Sequence, residues 1–66
     1  MQILLNGRAE DLPGGMTLEQ LLITKNIASA AVVVAVNSEV VKREAWCNFV
    51  IKENDEVEVI RIVGGG

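Results

Sequence analysis

The chain has no histidine, one cysteine, one proline and only two aromatic residues, Trp46 and Phe49. Without histidine, the usual general base and the commonest metal ligand are both missing. A zinc site would have to be assembled from one thiol and carboxylates, which is a poor donor set. Cys47 alone cannot form an internal disulfide, which fits a reducing compartment. Lysine and arginine number six and lie scattered, with only Lys42 and Arg43 adjacent. With no basic stripe and almost no aromatics, a nucleic-acid partner is disfavoured. The longest apolar run, Ala30 to Val36, falls far short of the roughly 18 residues that a membrane helix needs, so no membrane partner is expected. The opening "MQILLNG" has neither a basic stretch nor a cleavage pattern and does not read as a signal peptide. A cytoplasmic location is the expectation.

What is present is a chain of 66 residues, half of them hydrophobic. That is enough for one core and not for two. A domain of this size buries only about 60% of the surface its unfolded chain exposes. The net charge is −3, concentrated in "ENDEVE" at Glu53, Asp55, Glu56 and Glu58. These residues are either a solvated turn or an acidic patch that steers a basic partner.

Along the chain, Met1, Ile3 and Leu5 alternate with Gln2, Leu4 and Asn6, and Asn6-Gly7 is a favoured hairpin turn pair. Residues 1–12 therefore read as a hairpin, broken by Pro13-Gly14-Gly15. A helix follows, with Thr17 as its cap, Gln20 completing a capping box and Met16 placed to staple onto Leu21. Leu18, Leu21 and Leu22, with the stem of Lys25, form its apolar stripe, and it ends near Asn26. The valine-rich "AAVVVAVN" reads as a strand covered on both faces or at least interior to a sheet. Asn37-Ser38 turns the chain into a short strand, "EVVK", and "REAW" makes a brief helical turn. "NFVI" adds apolar packing, "KENDE" is a loop, and "VEVIRIV" is the last strand. One helix must cover one face of a mixed sheet to bury its leucines. The economical fold is α+β, a β-grasp (ubiquitin-like) sheet of four to five strands on one helix, with the last strand central beside the first. The expected division is a β-grasp domain at 1–63 and a flexible glycine tail at 64–66.

The end of the chain raises the functional question. Val57, Val59 and Val63 fall on one face of the last strand and Ile60 and Ile62 on the other, whereas Gly64, Gly65 and Gly66 bury nothing. Three extended residues reach about 10 Å, long and thin enough for a narrow active site. A terminal carboxylate is ionised at neutral pH but is a poor electrophile, so it must be activated before sulfur or nitrogen can attack it. Attack on the α-phosphate of ATP would give an acyl-adenylate, and glycines at 65 and 66 leave that carbonyl uncrowded. Against this stand a frayed end and a linker.

"VAVN" at 34–37, "VVKREAW" at 40–46 and the terminal glycine pair together resemble the ThiS family, the sulfur carriers of thiamine thiazole synthesis. The resemblance extends over nearly the whole chain, including the opening "MQILLNG". It implies that Gly66 is adenylated by a ThiF-type enzyme and becomes a thiocarboxylate, with Gly65 completing the diglycine. The sulfur would come from a donor such as a cysteine desulfurase and pass to a ThiG-type thiazole synthase. ATP is then used by the activating enzyme, and no cofactor is bound by this chain. Where the family often has proline before the arginine, Lys42 stands here.

Other readings of the same residues compete. The family likeness is compatible with a sulfur carrier for molybdopterin or another cofactor, or with a ubiquitin-like protein modifier. A non-covalent β-grasp binding module would need no chemistry at the tail. No carboxylate pair or phosphate loop suggests catalysis by the chain itself, which reads as a protein co-substrate, monomeric when free. Trp46 with Arg43 beside it reads as packing over the core. Cys47, with no histidine to activate it, reads as a small buried or half-buried packing residue. Ile60, Ile62, Glu56 and Glu58, with Gly64, form the candidate docking patch for partner enzymes.

Overall fold

Asn6 and Gly7 both take left-handed φ values, 51° and 80°, as a two-residue type I′ turn requires. In the computed structural model, which describes residues 1–62, this turn joins β1 (Gln2–Leu5) to β2 (Arg8–Asp11) as an antiparallel hairpin. The alternation holds, with Ile3 buried beneath the sheet and Leu4 on its outer face. After Pro13–Gly15 the helix α1 (Leu18–Thr24) starts on a complete capping box. The Thr17 hydroxyl accepts from the Gln20 N–H at 3.2 Å, and the Gln20 side chain accepts from the Thr17 N–H at 3.0 Å. Leu18, Leu21 and Leu22 are buried. Lys25 caps the far end of α1 and pairs through its amine with Glu10 of β2 instead of lying on the core.

A 3₁₀ turn at Ser29–Ala31 leads into β3 (Val32–Val36), and Asn37-Ser38, again at left-handed φ, turns the chain into β4 (Glu39–Val41). A second 3₁₀ turn at Arg43–Ala45 precedes Trp46, and β5 (Glu56–Arg61) closes the sheet. The strand order is β2-β1-β5-β3-β4, so the last strand is central. It runs parallel to β1 and antiparallel to β3. The mixed five-stranded sheet on one helix is the β-grasp arrangement. With α1 on one face, β3 is interior to the sheet: Val32, Val34 and Val36 face the core, and on the other side Val33 is half-buried and Ala35 is buried.

The core gathers Ile3, Leu12, the three helix leucines, the inward valines of β3, Trp46, Ile51 and Val57. The Trp46 indole N–H donates to the Val41 carbonyl at 2.8 Å, and the Arg43 guanidinium lies 5.8 Å above the ring centroid. Trp46 is thus the packing residue that its isolation in the sequence suggests. Cys47 corrects the expectation made for it: it is exposed. The indole one residue earlier turns inward and takes the core position, which leaves the Cys47 side chain on the outer side of the turn.

Candidate functional site

The last strand is fastened at both flanks by asparagines that have left-handed backbones. At its start, the Asn37 N–H donates to the Glu56 carbonyl, and the Asn37 Oδ1 accepts from the Glu56 N–H at 3.0 Å. The Asn37 Nδ2 also donates to the Asp55 carboxylate at 3.0 Å. Midway, the Asn6 N–H donates to the Val57 carbonyl, and the Asn6 Oδ1 accepts from the Val59 N–H at 2.8 Å. The side chain of Asn6 thereby continues the β1–β5 ladder by one rung after the β1 backbone has turned away. Beyond β5, the Ile62 N–H donates to the Ala31 carbonyl at 2.8 Å, so pairing with the β3 side continues to the last described residue. The Arg43 guanidinium braces the same corner through the Ala30 carbonyl at 3.3 Å.

The face of the sheet away from α1 carries the candidate docking residues. Glu56, Glu58 and Ile60 alternate with the core-facing Val57 and Val59, as β periodicity demands. Ile60 is 52% exposed and Ile62 is 57% exposed. Ile60 stands opposite Val33, Glu58 opposite Ala35, and Glu56 opposite Leu4, which is itself 39% exposed. Across β3, Ala35 faces the exposed Val40 of β4. The result is an apolar field with two carboxylates in its middle. Among the described residues, neither Glu56 nor Glu58 has an ion-pair partner.

The other two acids of "ENDEVE" have structural work. Asp55 closes the preceding turn by accepting from the Lys52 N–H at 2.8 Å, and Glu53 accepts from the Gln2 N–H at 2.9 Å. The structure thus divides that acidic run into two turn acids and two face acids. Gly64, Gly65 and Gly66, and with them the tail assigned to 64–66 and the inward place given to Val63, lie outside the described residues. Among the described residues no cluster of three His, Cys, Asp or Glu could hold a metal ion. No helix among them is long and apolar enough to cross a membrane. A surface depression lined by Pro13, Gly15, Met16, Gln20, Ile23 and Thr24 contains no acid, base or thiol.

Sequence reasoning missed the two asparagine clamps. Asn-Gly and Asn-Ser announce turns, but nothing local shows that their side chains reach a strand about 20 or 50 residues away.

The ThiS family model matches residues 3–66, nearly the entire chain. The chain belongs to the ThiS family. The sulfur carrier protein ThiS of Escherichia coli is 30% identical, and the match spans all of both chains. A crystal structure of the thiamine biosynthesis protein ThiS from Geobacter metallireducens superposes with a TM-score of 0.89 at 30% identity, again over all of both chains. A thiazole synthase of Magnetococcus marinus is 39% identical over all 66 residues, and there the chain spans about a fifth of the longer protein (20%).

Proposed function

We propose that this ThiS-family chain is a sulfur carrier of thiamine biosynthesis, working in the cytoplasm as a co-substrate of partner enzymes. The observation that carries the reading is the end-to-end match with the Escherichia coli sulfur carrier. The thiazole synthase of Magnetococcus marinus, in which a segment like this chain forms part of one polypeptide, supports a ThiG-type synthase as the sulfur's destination.

The chemistry takes place at Gly66. A carboxylate oxygen attacks the α-phosphorus of ATP in a ThiF-type enzyme, and pyrophosphate leaves. A persulfide, supplied by a donor such as a cysteine desulfurase, then attacks the acyl carbon through its outer sulfur and displaces AMP. A second thiol attacks the inner sulfur of the acyl disulfide so formed, leaving the thiocarboxylate on Gly66 and a disulfide on the donor side. Gly65 and Gly66 present no side chain to the closing enzyme, and Gly64 gives the tail reach. The chain's own contribution is binding and delivery. The outer face, with Ile60, Ile62, Leu4 and Val40 around Glu56 and Glu58, is the docking surface that holds the fold while the tail is enclosed. Exposed large apolar side chains on one face suit that role.

The test is isotope exchange between pyrophosphate and ATP catalysed by a ThiF-type enzyme. Exchange should depend on the added chain and vanish when Gly66 is removed. No exchange with an enzyme that activates its own carrier would overturn the reading.

A further inference from the structure

Hydrogen bonding in an antiparallel pair alternates, so successive residues of a strand turn their backbone groups to opposite neighbours. In β5 the even-numbered residues serve β3: Asn37 N–H reaches Glu56 O, and Ile62 N–H reaches Ala31 O. The odd-numbered residues serve β1: Asn6 N–H reaches Val57 O, and Val59 N–H reaches the Asn6 side chain. The next groups on that side are the Val59 carbonyl and the Arg61 N–H. The β1 backbone has turned away at Asn6-Gly7, and among the described residues nothing pairs with them. The central strand of the sheet therefore overhangs its parallel neighbour and opens a strand-wide lane beside residues 59–61. Built ladders elsewhere end in short strands, β4 having only three residues; here the open edge belongs to the middle of the sheet.

We propose that this lane is a strand-addition site, filled by an extended segment of the adenylating enzyme that accepts from the Arg61 N–H and donates to the Val59 carbonyl. The proposal rests on the sulfur-carrier reading. Two observations name the occupant. The lane flanks the strand that continues in sequence toward Gly66, so an enzyme that activates Gly66 binds next to this end of the strand, and glycines offer such an enzyme only backbone groups to grip. Glu56 and Glu58, unpaired among the described residues, stand on the outer face of the same strand. An incoming strand with lysine or arginine on that side would pair with Glu58. Strand addition supplies affinity through the main chain and register through such side chains.

The position of Cys47 in the sequence permits the test. A synthetic 47–66 segment with N-methyl-Arg61 is joined at Cys47 to a 1–46 thioester, alongside an unmodified ligated chain. The methyl group removes only the N–H that points into the lane, so thermal unfolding should be unchanged. The KM for the chain in pyrophosphate exchange should rise roughly tenfold, the size expected for one lost hydrogen bond plus the blocked approach. Hydrogen exchange on the unmodified chain gives a second readout. The Arg61 amide should exchange quickly alone and become protected with the adenylating enzyme. Unchanged KM together with an unprotected Arg61 amide would overturn the strand-addition site while leaving the carrier reading intact. If the methylated chain unfolds earlier, protection at Arg61 decides alone. Protection by a thiazole synthase only would overturn the occupant named here. Failure of the unmodified chain to support exchange would overturn the carrier reading, and this proposal with it.

Discussion

Replacing Asn6 should loosen the last strand in a way that separates its two roles. The side chain accepts from the Val59 N–H at 2.8 Å, and the backbone sits at φ 51°. Asn6→Ala loses the bond, worth about 0.5–1.5 kcal/mol. It also places a residue with poor left-handed tolerance in the turn, at about 1 kcal/mol. The sum is about 2 kcal/mol. In a domain of this size that lowers Tm by about 8–16 °C. It is a large share of a total stability of about 3–10 kcal/mol. Asn6→Gly loses the bond but not the conformation and should cost about 1 kcal/mol. Asn6→Asp keeps both the acceptor and the left-handed tolerance and should stay within about 0.5 kcal/mol. Urea unfolding followed by circular dichroism measures the three, and amide exchange at Val59 should quicken in the Ala and Gly variants only. If Asp destabilises as much as Ala, or Gly more than Ala, the clamp assignment is wrong.

Thr17→Ala removes the hydroxyl half of the capping box and should cost about 1 kcal/mol, read from the same urea curves. Trp46→Phe removes the indole's hydrogen bond to the Val41 carbonyl and opens space in the core; a loss of about 2–4 kcal/mol is expected by calorimetry. Ile60→Thr keeps a β-branched side chain in the central strand and should lower Tm by only a few degrees while raising the KM for the chain in adenylation. An unaltered KM would remove Ile60 from the docking face.

The features legible in the sequence were those that local chemistry decides. Asn6-Gly7 demands a left-handed pair of residues, Thr17 and Gln20 complete each other's hydrogen bonds, and the alternation in "VEVIRI" fixes which side chains face the core. The central position of β5 followed from the element order and the need to cover the helix leucines. What escaped depends on partners distant in sequence. Cys47 is exposed because Trp46 took the inward place, and a run of four acids divides into turn acids and face acids only when Gln2 and Asn37 arrive beside Glu53 and Asp55. The open lane beside Arg61 is a property of two strands of unequal length running in parallel, which neither strand's sequence contains.

The central claim is that Gly66 carries sulfur. Intact mass of the chain, after incubation with ATP, a sulfide source and a ThiF-type enzyme, tests it most directly. The account predicts a gain equal to the difference between sulfur and oxygen, located in the last residue by fragmentation and absent when Gly66 is deleted. An unchanged mass, with an enzyme shown to thiolate its own carrier in the same tube, would contradict it.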